Sequence, residues 1–97
     1  MIYEWDEAKS RINLEKHGLA FEDAEDVFEG DVITVVDRRK DYGEPRFATL
    51  GTLHGRVVFV AHTMRSGRVR IISMRKANER EQKIYQERLA AHRLDER

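Results

Sequence analysis

The sequence predicts an α+β protein with two N-terminal helices, an antiparallel sheet of four to five strands and a C-terminal helix. Two observations lead to this class. Apolar residues recur at helical spacing up to Gly30, whereas β-branched runs and glycine-containing turns fill residues 32 to 75. The chain has 97 residues and one proline, which is the size of one domain. We therefore expect residues 1–97 to form a single unit around one core.

The first strand and the first helix are predicted from local signals near the N terminus. An aromatic-Glu-aromatic alternation suits an edge strand over residues 2–5. Asp6 is a favourable N-cap residue, so a helix over about 7–17 follows it. Gly18 stands where a helix ends in the left-handed conformation.

The apolar positions of the two N-terminal helices indicate which sides face the core. On the first helix, Ala8 and Ile12 lie one turn apart. On the second helix, the residues spaced for one face are Phe21, Ala24, Val27 and Phe28. The other face of this helix is acidic, and Gly30 ends it.

Four extended segments follow, over residues 32–36, 46–53, 56–63 and 69–75. The last three are joined by short turns, at His54-Gly55 and at Ser66-Gly67, where glycine allows a positive φ. Strands joined in this way usually pair with each other. The segments therefore predict an antiparallel meander, with the N-terminal strand added as an edge.

A final helix is predicted over about 79–92. Asn78, with Glu81 three residues later, resembles a capping box at its start. Its apolar side consists of Ile84, Tyr85 and Leu89. We expect the tail, residues 93–97, to fray.

The composition excludes several classes of protein. Without cysteine there is neither a disulfide framework nor a thiolate metal site. No pair of histidines or carboxylates has metal-ligand spacing, so we expect no metal and no other cofactor. There is no signal-peptide pattern and no apolar run of about 20 residues. We expect a soluble, cytoplasmic protein that makes no membrane contact.

The net charge of zero conceals an asymmetry between the two halves of the chain. Residues 1–44 carry 6 basic and 13 acidic residues, a net charge of −7, and residues 45–97 carry 12 basic and 5 acidic residues, a net charge of +7. Within residues 45–78 there is no acid, and the cations are Arg46, Arg56, Arg65, Arg68, Arg70, Arg75 and Lys76. Arginine suits bidentate contacts with phosphate, so this run indicates a surface for a polyanion such as RNA or DNA.

The last predicted strand carries much of this charge. Strict alternation would put Arg68, Arg70, Ile72 and Met74 on one face and Val69, Ile71, Ser73 and Arg75 on the other. Neither face is purely apolar. We therefore expect an interior strand that is covered at one end and lines a groove at the other, with Arg65 and Arg75 near the rim.

Several motifs together resemble one known family. They are Tyr3-Glu4-Trp5-Asp6-x-x-Lys9, Asn13-x-x-Lys16-His17-Gly18-x-x-Phe21-x-x-Ala24-x-x-Val27-Phe28, Gly43-Glu44-x-Arg46, Gly51, Gly55-Arg56, Thr63-x-Arg65, Arg70-Ile71-Ile72-Ser73-x-Arg75-Lys76-Ala77 and Arg80-Glu81-x-x-x-Tyr85. This string, over about residues 3–85, is similar to the BrnT family of bacterial type II toxins. The resemblance implies a RelE-like ribonuclease fold, endoribonuclease activity that inhibits translation, and neutralisation by a small BrnA-type antitoxin. It also implies that operator DNA is bound only through the toxin–antitoxin complex.

Metal-free cleavage of RNA needs a base for the 2′-hydroxyl proton, cations for the charged phosphorane and an acid for the leaving oxygen. Arg65, Arg70 and Arg75, with Arg46 nearby, are expected to converge on one phosphate. With the acid or base candidates added, the predicted catalytic residues are Arg65, Arg70, Arg75, Glu44, His17 and Tyr85. The predicted RNA contacts are Arg46, Arg56, Arg68, Ser73, Lys76 and Arg80.

Each candidate acid or base also has a purely structural interpretation. Glu44 would be the salt-bridge partner of Arg46, His17 would help to cap the first helix, and Tyr85 would be a core residue. His54 is expected in a turn, and His62 half-buried in the sheet.

Two hypotheses from different classes remain open at this point. In the first, the protein is an endoribonuclease toxin. In the second, it is a non-catalytic module whose basic sheet binds nucleic acid or an acidic partner. RNA binding without cleavage would distinguish the second from the first.

Overall fold

The computed structural model describes residues 1–95 and has one five-stranded sheet in the order β1-β5-β4-β3-β2. The strands are β1 (Tyr3–Glu4), β2 (Ile33–Val36), β3 (Phe47–Leu53), β4 (Arg56–Arg65) and β5 (Arg68–Lys76). The helices are α1 (Glu7–His17), α2 (Ala24–Glu29), which follows a 3₁₀ turn at Phe21–Asp23, and α3 (Glu79–Asp95). The predicted α+β class and its order of elements are confirmed.

The predicted meander is also confirmed, because β2, β3, β4 and β5 pair antiparallel in chain order. Both hairpin turns have positive φ at two consecutive residues, 51° and 78° at His54 and Gly55, and 52° and 75° at Ser66 and Gly67. This is the turn geometry whose twist matches that of the strands it joins.

The N-terminal strand departs from a purely antiparallel sheet. β1 is an edge strand, as predicted, but it pairs parallel with β5, with Tyr3 opposite Val69 and Glu4 opposite Arg70. Since β1 spans two residues, it covers only the first part of β5. The sheet is therefore mixed, and the rest of the β5 edge lies against α1.

Helix α1 begins and ends as predicted. Asp6 accepts a hydrogen bond from the Lys9 amide at 3.0 Å, and Gly18 has φ 71°. Its buried residues, however, are polar: Ser10 and Asn13.

The expectation that Ala8 and Ile12 mark the core side of α1 is wrong, because both are exposed. The reason is that α1 packs beside the edge of β5, where backbone groups need partners. Asn13 Oδ1 accepts from the Met74 amide at 3.1 Å, and its Nδ2 donates to the Leu19 carbonyl at 2.9 Å. The side chain of Asn13 thus continues the hydrogen bonding that β1 begins.

The main core lies between the sheet and the N-terminal helices. Its buried members are Phe21, Ala24, Val27, Leu53, Val58, Val60, Val69, Ile71 and Met74. The predicted apolar face of the second helix is therefore confirmed. Gly51 allows this close packing, because an added Cβ would lie 2.8 Å from Val27 Cγ1.

Helix α3 packs on the opposite face of the sheet. Asn78 and Glu81 form the predicted capping box, with bonds of 2.8 and 2.9 Å between the side chain of each and the amide of the other. Two residues of its predicted apolar side, Tyr85 and Leu89, pack in one cluster with Leu50, Phe59 and Ala77. The helix continues to Asp95, beyond the predicted end, and residues 96 and 97 of the predicted frayed tail lie outside the described residues.

A bulge in β5 changes the predicted faces of that strand. Ala61 is opposite Ser73, but the next residue, His62, is opposite Ile71, which leaves Ile72 without a partner in β4. Such an extra residue resets the alternation. The predicted division of β5 is therefore wrong after Ile71, because Met74 joins Val69 in the core and Arg75 moves to the face of Arg70.

Within residues 1–95, no helix is long and apolar enough to cross a membrane.

Candidate nucleic-acid interface

The face of the sheet that carries α3 is only partly covered by that helix. The uncovered part, which we call the open face, carries Arg46, Arg65, Arg68, Arg70, Ser73 and Arg75. The register of β4 and β5 places most of these together, since Arg65 is opposite Arg68 and Phe59 is opposite Arg75. Arg46 precedes β3, which the sheet places beside β4.

Four arginines form a cluster at the end of the β4–β5 hairpin: Arg46, Arg65, Arg68 and Arg70. Arg65 and Arg68 are directly opposite each other and exposed. Like charges in this position destabilise a sheet by up to about 1 kcal/mol. Their position therefore costs stability, and it concentrates positive charge.

Glu44 lies between two members of the arginine cluster. Its carboxylate accepts from Arg46 Nε at 3.1 Å and from the Arg65 guanidinium at 3.1 Å. The hydrogen bond from Arg65, followed by that from Arg46, lowers the pKa of Glu44. The predicted salt bridge between Glu44 and Arg46 is thus present, and the carboxylate is ionised at neutral pH.

Carboxylates from elsewhere in the chain hold two further arginines of the open face. Arg70 donates to Glu4 at 3.1 Å. Arg75 makes two bonds to Glu81, of 2.7 and 2.9 Å, which lower the pKa of that glutamate. For Arg68, no ion pair is found within the described part of the chain.

The expected convergence of Arg65, Arg70 and Arg75 is met only in part. Arg65 and Arg70 are diagonal neighbours at one end of the open face. Arg75 lies about 13 Å farther along the sheet, since its partner Phe59 is four residues from Thr63, the partner of Arg70, at about 3.3 Å per residue. Its guanidinium also lies 4.1 Å from the centre of the Phe59 ring. The structure therefore brings Arg46 and Arg68 to Arg65 and Arg70, and keeps Arg75 apart at the start of α3.

Sequence reasoning missed an aromatic residue beside the arginine cluster. The Arg46 guanidinium lies 4.4 Å from the centre of the Tyr42 ring, and the Tyr42 hydroxyl donates to Asp37 at 3.2 Å. Asp37 also holds Arg39, whose hydrogen bonds lower the pKa of that carboxyl. A single aromatic within an otherwise polar loop was the available signal.

Three of the predicted residues meet on the other face of the sheet. His17, Arg56 and Lys76 line a pocket of about 270 Å³, together with His54, where the end of α1 meets the β3–β4 hairpin. They are thus separated from the arginine cluster by the sheet itself.

A second pocket, of about 220 Å³, connects the two regions along α1. Lys9 and Lys16 line it with His17, Ile72 and Ser73. Neither lysine was proposed from the sequence, because both lie in the acid-rich half of the chain. Their spacing of seven residues, which is two helical turns, was the signal that could have indicated a shared face.

Three other candidates lie away from both regions. Tyr85 is buried, and its hydroxyl donates to the Asp31 carbonyl at 2.7 Å. Arg80 lines a groove between β2 and α3. His62 is buried in the sheet, more deeply than the half-burial expected, and burial lowers its pKa to about 4.

Histidines and carboxylates do not gather into a group of three or more suited to a metal ion anywhere in the described residues.

The fold and the open face define a small α+β protein with an arginine-lined surface suited to phosphate groups. Comparison with known families is more specific: residues 5–81 match the family described as the ribonuclease toxin, BrnT, of type II toxin-antitoxin systems. The match covers most of the chain, and the chain belongs to this family. No individual curated protein matches it.

Proposed function

We propose that this protein is a metal-independent endoribonuclease toxin with a RelE-like fold, which acts on cytoplasmic RNA and inhibits translation. The observation that carries the proposal is the arginine cluster, in a chain that belongs to a family of ribonuclease toxins. Cationic side chains stabilise negative charge on a phosphorane without a metal ion.

Arg65, Arg68 and Arg70 would bind the scissile phosphate. Arg68 has no carboxylate partner among the described residues and is the first available contact. Arg65 and Arg70 then exchange their carboxylate partners for phosphate oxygens. Each exchange replaces one charge-assisted hydrogen bond by another, so the arginines are held ready at little cost.

Glu44 would accept the proton of the attacking 2′-hydroxyl. In the free protein, the hydrogen bonds from Arg65 and Arg46 lower its pKa and make it a weak base. When a phosphate takes the Arg65 guanidinium, the carboxylate loses the hydrogen bond that lowers its pKa most and its pKa rises, so it becomes a stronger base when substrate is bound. His17 lies on the other face of the sheet and is outside the proposed catalytic set, so the leaving oxygen takes its proton from water in this proposal. Tyr85 is outside the proposed catalytic set because its hydroxyl is engaged in the core.

The test is cleavage of a labelled single-stranded RNA by purified protein in the presence of EDTA. Arg70→Ala is expected to lower the cleavage rate by about 10²–10³-fold, because enzymes lose about this much when one group that stabilises a developing anion is removed. Glu44→Gln is expected to lower the rate by about 10²-fold or more while RNA binding is kept, because the amide cannot accept the proton. Arg11→Ala on the exposed side of α1 is the control. Intact RNA after incubation with folded wild-type protein would refute the proposal.

The same variants have an expected effect in cells. Induced expression of the wild-type gene without its antitoxin should arrest growth, and Arg70→Ala should relieve the arrest. Harmless induction of the wild type, with normal protein levels, would contradict a toxin role.

The proposed partner is a BrnA-type antitoxin that covers the open face, with operator DNA bound only through the complex. An acidic antitoxin segment would take the arginines by the same exchange as RNA. A pull-down that survives charge reversal of Arg65, Arg70 and Arg75 would count against this surface.

A non-catalytic nucleic-acid-binding module is the alternative. The observation in its favour is that Arg46, Arg65, Arg70 and Arg75 are each paired with a carboxylate, as in an ordinary charged surface. Tight RNA binding without cleavage products would select this alternative.

A further inference from the structure

The two pockets beside α1 share a residue. His17 lines the pocket that contains Lys9, Lys16 and Ser73, and it also lines the pocket that contains Arg56 and Lys76. The pockets are therefore adjacent and meet at the C-terminal end of α1.

The charge of these pockets has one sign. Their ionisable lining residues are Lys9, Lys16, His17, His54, Arg56 and Lys76, and neither pocket is lined by a carboxylate. Three cations lie nearest the end of α1, and all three are exposed: Lys16, Arg56 and Lys76. Within the described part of the chain, none of these three has an ion pair. Their charges are thus free to meet an anion, unlike most of those on the open face.

The pocket that contains Lys9, Lys16 and Ser73 is continuous with the open face. Ser73 belongs to both, because the bulge at Ile72 turns Ser73 toward the face of Arg70. Since α1 packs along the edge of β5, the lysines on its outer side extend the open face around that edge. A chain bound at the arginine cluster can therefore cross α1 along Lys9 and Lys16 and reach the β3–β4 hairpin, once it has passed Glu4, which pairs with Arg70, and Asp6, which caps α1.

We propose that these residues form a basic track for the backbone of single-stranded RNA. The track leads from the arginine cluster past Ser73, Lys9 and Lys16 to His17, Arg56 and Lys76. It binds the substrate outside the scissile phosphate, and so it rests on the proposed function. The consequence for substrate choice is that long single strands bind better than short ones, through contacts that do not read the sequence.

RNA fits this surface better than an acidic protein segment does. Four residues of the pocket linings beside α1 carry cations on flexible stems, which follow phosphates along a backbone: Lys9, Lys16, Arg56 and Lys76. A protein partner would need an apolar centre to bury, and the large exposed apolar residue lining these pockets is Ile12 alone.

The experiment measures the affinity of 6-nucleotide and 20-nucleotide labelled RNAs as a function of salt. Each phosphate contact contributes about −0.7 to the slope of log K against log salt for single strands. The triple variant Lys16→Ala, Arg56→Ala, Lys76→Ala should therefore reduce the slope for the 20-nucleotide RNA by about 2. If the wild type and the triple variant bind the 20-nucleotide RNA equally at 1 M salt, this difference in slope makes the variant bind it about 50-fold more weakly at 0.15 M. The 6-nucleotide RNA, held at the arginine cluster, should change by less than about 2-fold.

The matched control is Arg11→Ala with Lys83→Ala, two exposed cations that line neither pocket. If the triple variant does not fold, the single variants Lys16→Ala and Lys76→Ala each give a slope change of about 0.7. An unchanged slope in folded variants overturns the track, and so does a variant that loses antitoxin binding while its RNA binding stays unchanged.

The track and the proposed function fail in different ways. A wild-type protein that cleaves no RNA, but whose slope falls in the triple variant, would refute the nuclease and support the track. Cleavage by the wild type with an unchanged slope in the triple variant would support the nuclease and refute the track.

Discussion

The buried histidine in the sheet predicts a loss of stability in mild acid. His62 is 5% exposed, and its ring packs on Phe28 and Phe47 at centroid distances of 5.0 and 5.6 Å. Nε2 is hydrogen-bonded to Thr49 Oγ1 at 2.7 Å, and Nδ1 has no partner among the described residues. Burial removes water from the charged imidazole, and this desolvation lowers the pKa of His62 to about 4.

The direction of the effect follows from the two pKa values. In the unfolded chain the imidazole has its ordinary pKa of about 6.5, so below that pH the unfolded state takes up a proton that the folded state refuses. The contribution of His62 to stability is therefore complete above pH 6.5 and is lost as the pH falls toward 4. At pH 5 the loss is 1.5 pKa units, or about 2 kcal/mol. This is a large share of the roughly 5–15 kcal/mol expected for a chain of this size.

Urea unfolding at pH 7.5 and pH 5.0 measures the contribution of His62 to the unfolding free energy. The wild type should lose about 2 kcal/mol of unfolding free energy between the two, whereas His62→Gln, which cannot titrate but can still bond to Thr49, should lose less than about 0.5 kcal/mol. The carboxylates change the unfolding free energy of both proteins by the same amount between the two pH values. Their effect therefore cancels when the loss in the wild type is compared with the loss in His62→Gln. His54→Gln, in an exposed turn, should keep the wild-type dependence. Parallel pH dependences of the wild type and His62→Gln would refute the reasoning, whatever their absolute stabilities.

Three further substitutions test the packing and the core. Gly51→Ala should destabilise the protein by about 1–3 kcal/mol in urea unfolding, because the new Cβ would meet Val27, and a neutral result would contradict the close contact. Asn13→Ala should cost about 1–3 kcal/mol, since it leaves the buried Met74 amide without its acceptor; a loss below about 0.5 kcal/mol would show that the bond is not needed. Tyr85→Phe should lower the unfolding free energy by about 1 kcal/mol and leave RNA cleavage unchanged, and a large loss of cleavage in a folded variant would return this hydroxyl to the active site.

The elements of the fold could be predicted because each is marked by local signals. Asp6, Gly18, Asn78 and the two glycine-containing turns fix helix ends and hairpins through the backbone of their near neighbours. These signals need no knowledge of distant parts of the chain, so the order of elements followed from the sequence.

The details of the candidate site depend on distant partners and could be predicted only in part. The bulge at Ile72 depends on how β5 pairs with β4, and the partners of Arg70 and Arg75 are set by where β1 and α3 lie. The polar inner side of α1 reflects its packing on a sheet edge, which a search for apolar stripes does not consider. The cationic cluster was visible in the sequence, whereas its division between two surfaces was not.

The bulge also determines on which face of the sheet Arg75 lies. Arg70 and Arg75 are separated by an odd number of positions, and in a regular strand they would point to opposite faces. If β5 kept all its residues but paired with β4 without the bulge, Met74 would come out to the open face and Arg75 would turn inward. Deletion of Ile72, by contrast, removes the unpaired residue and leaves regular alternation, with Met74 in the core and Arg75 on the open face. The bulge is therefore what makes the odd spacing of the two arginines compatible with a common face.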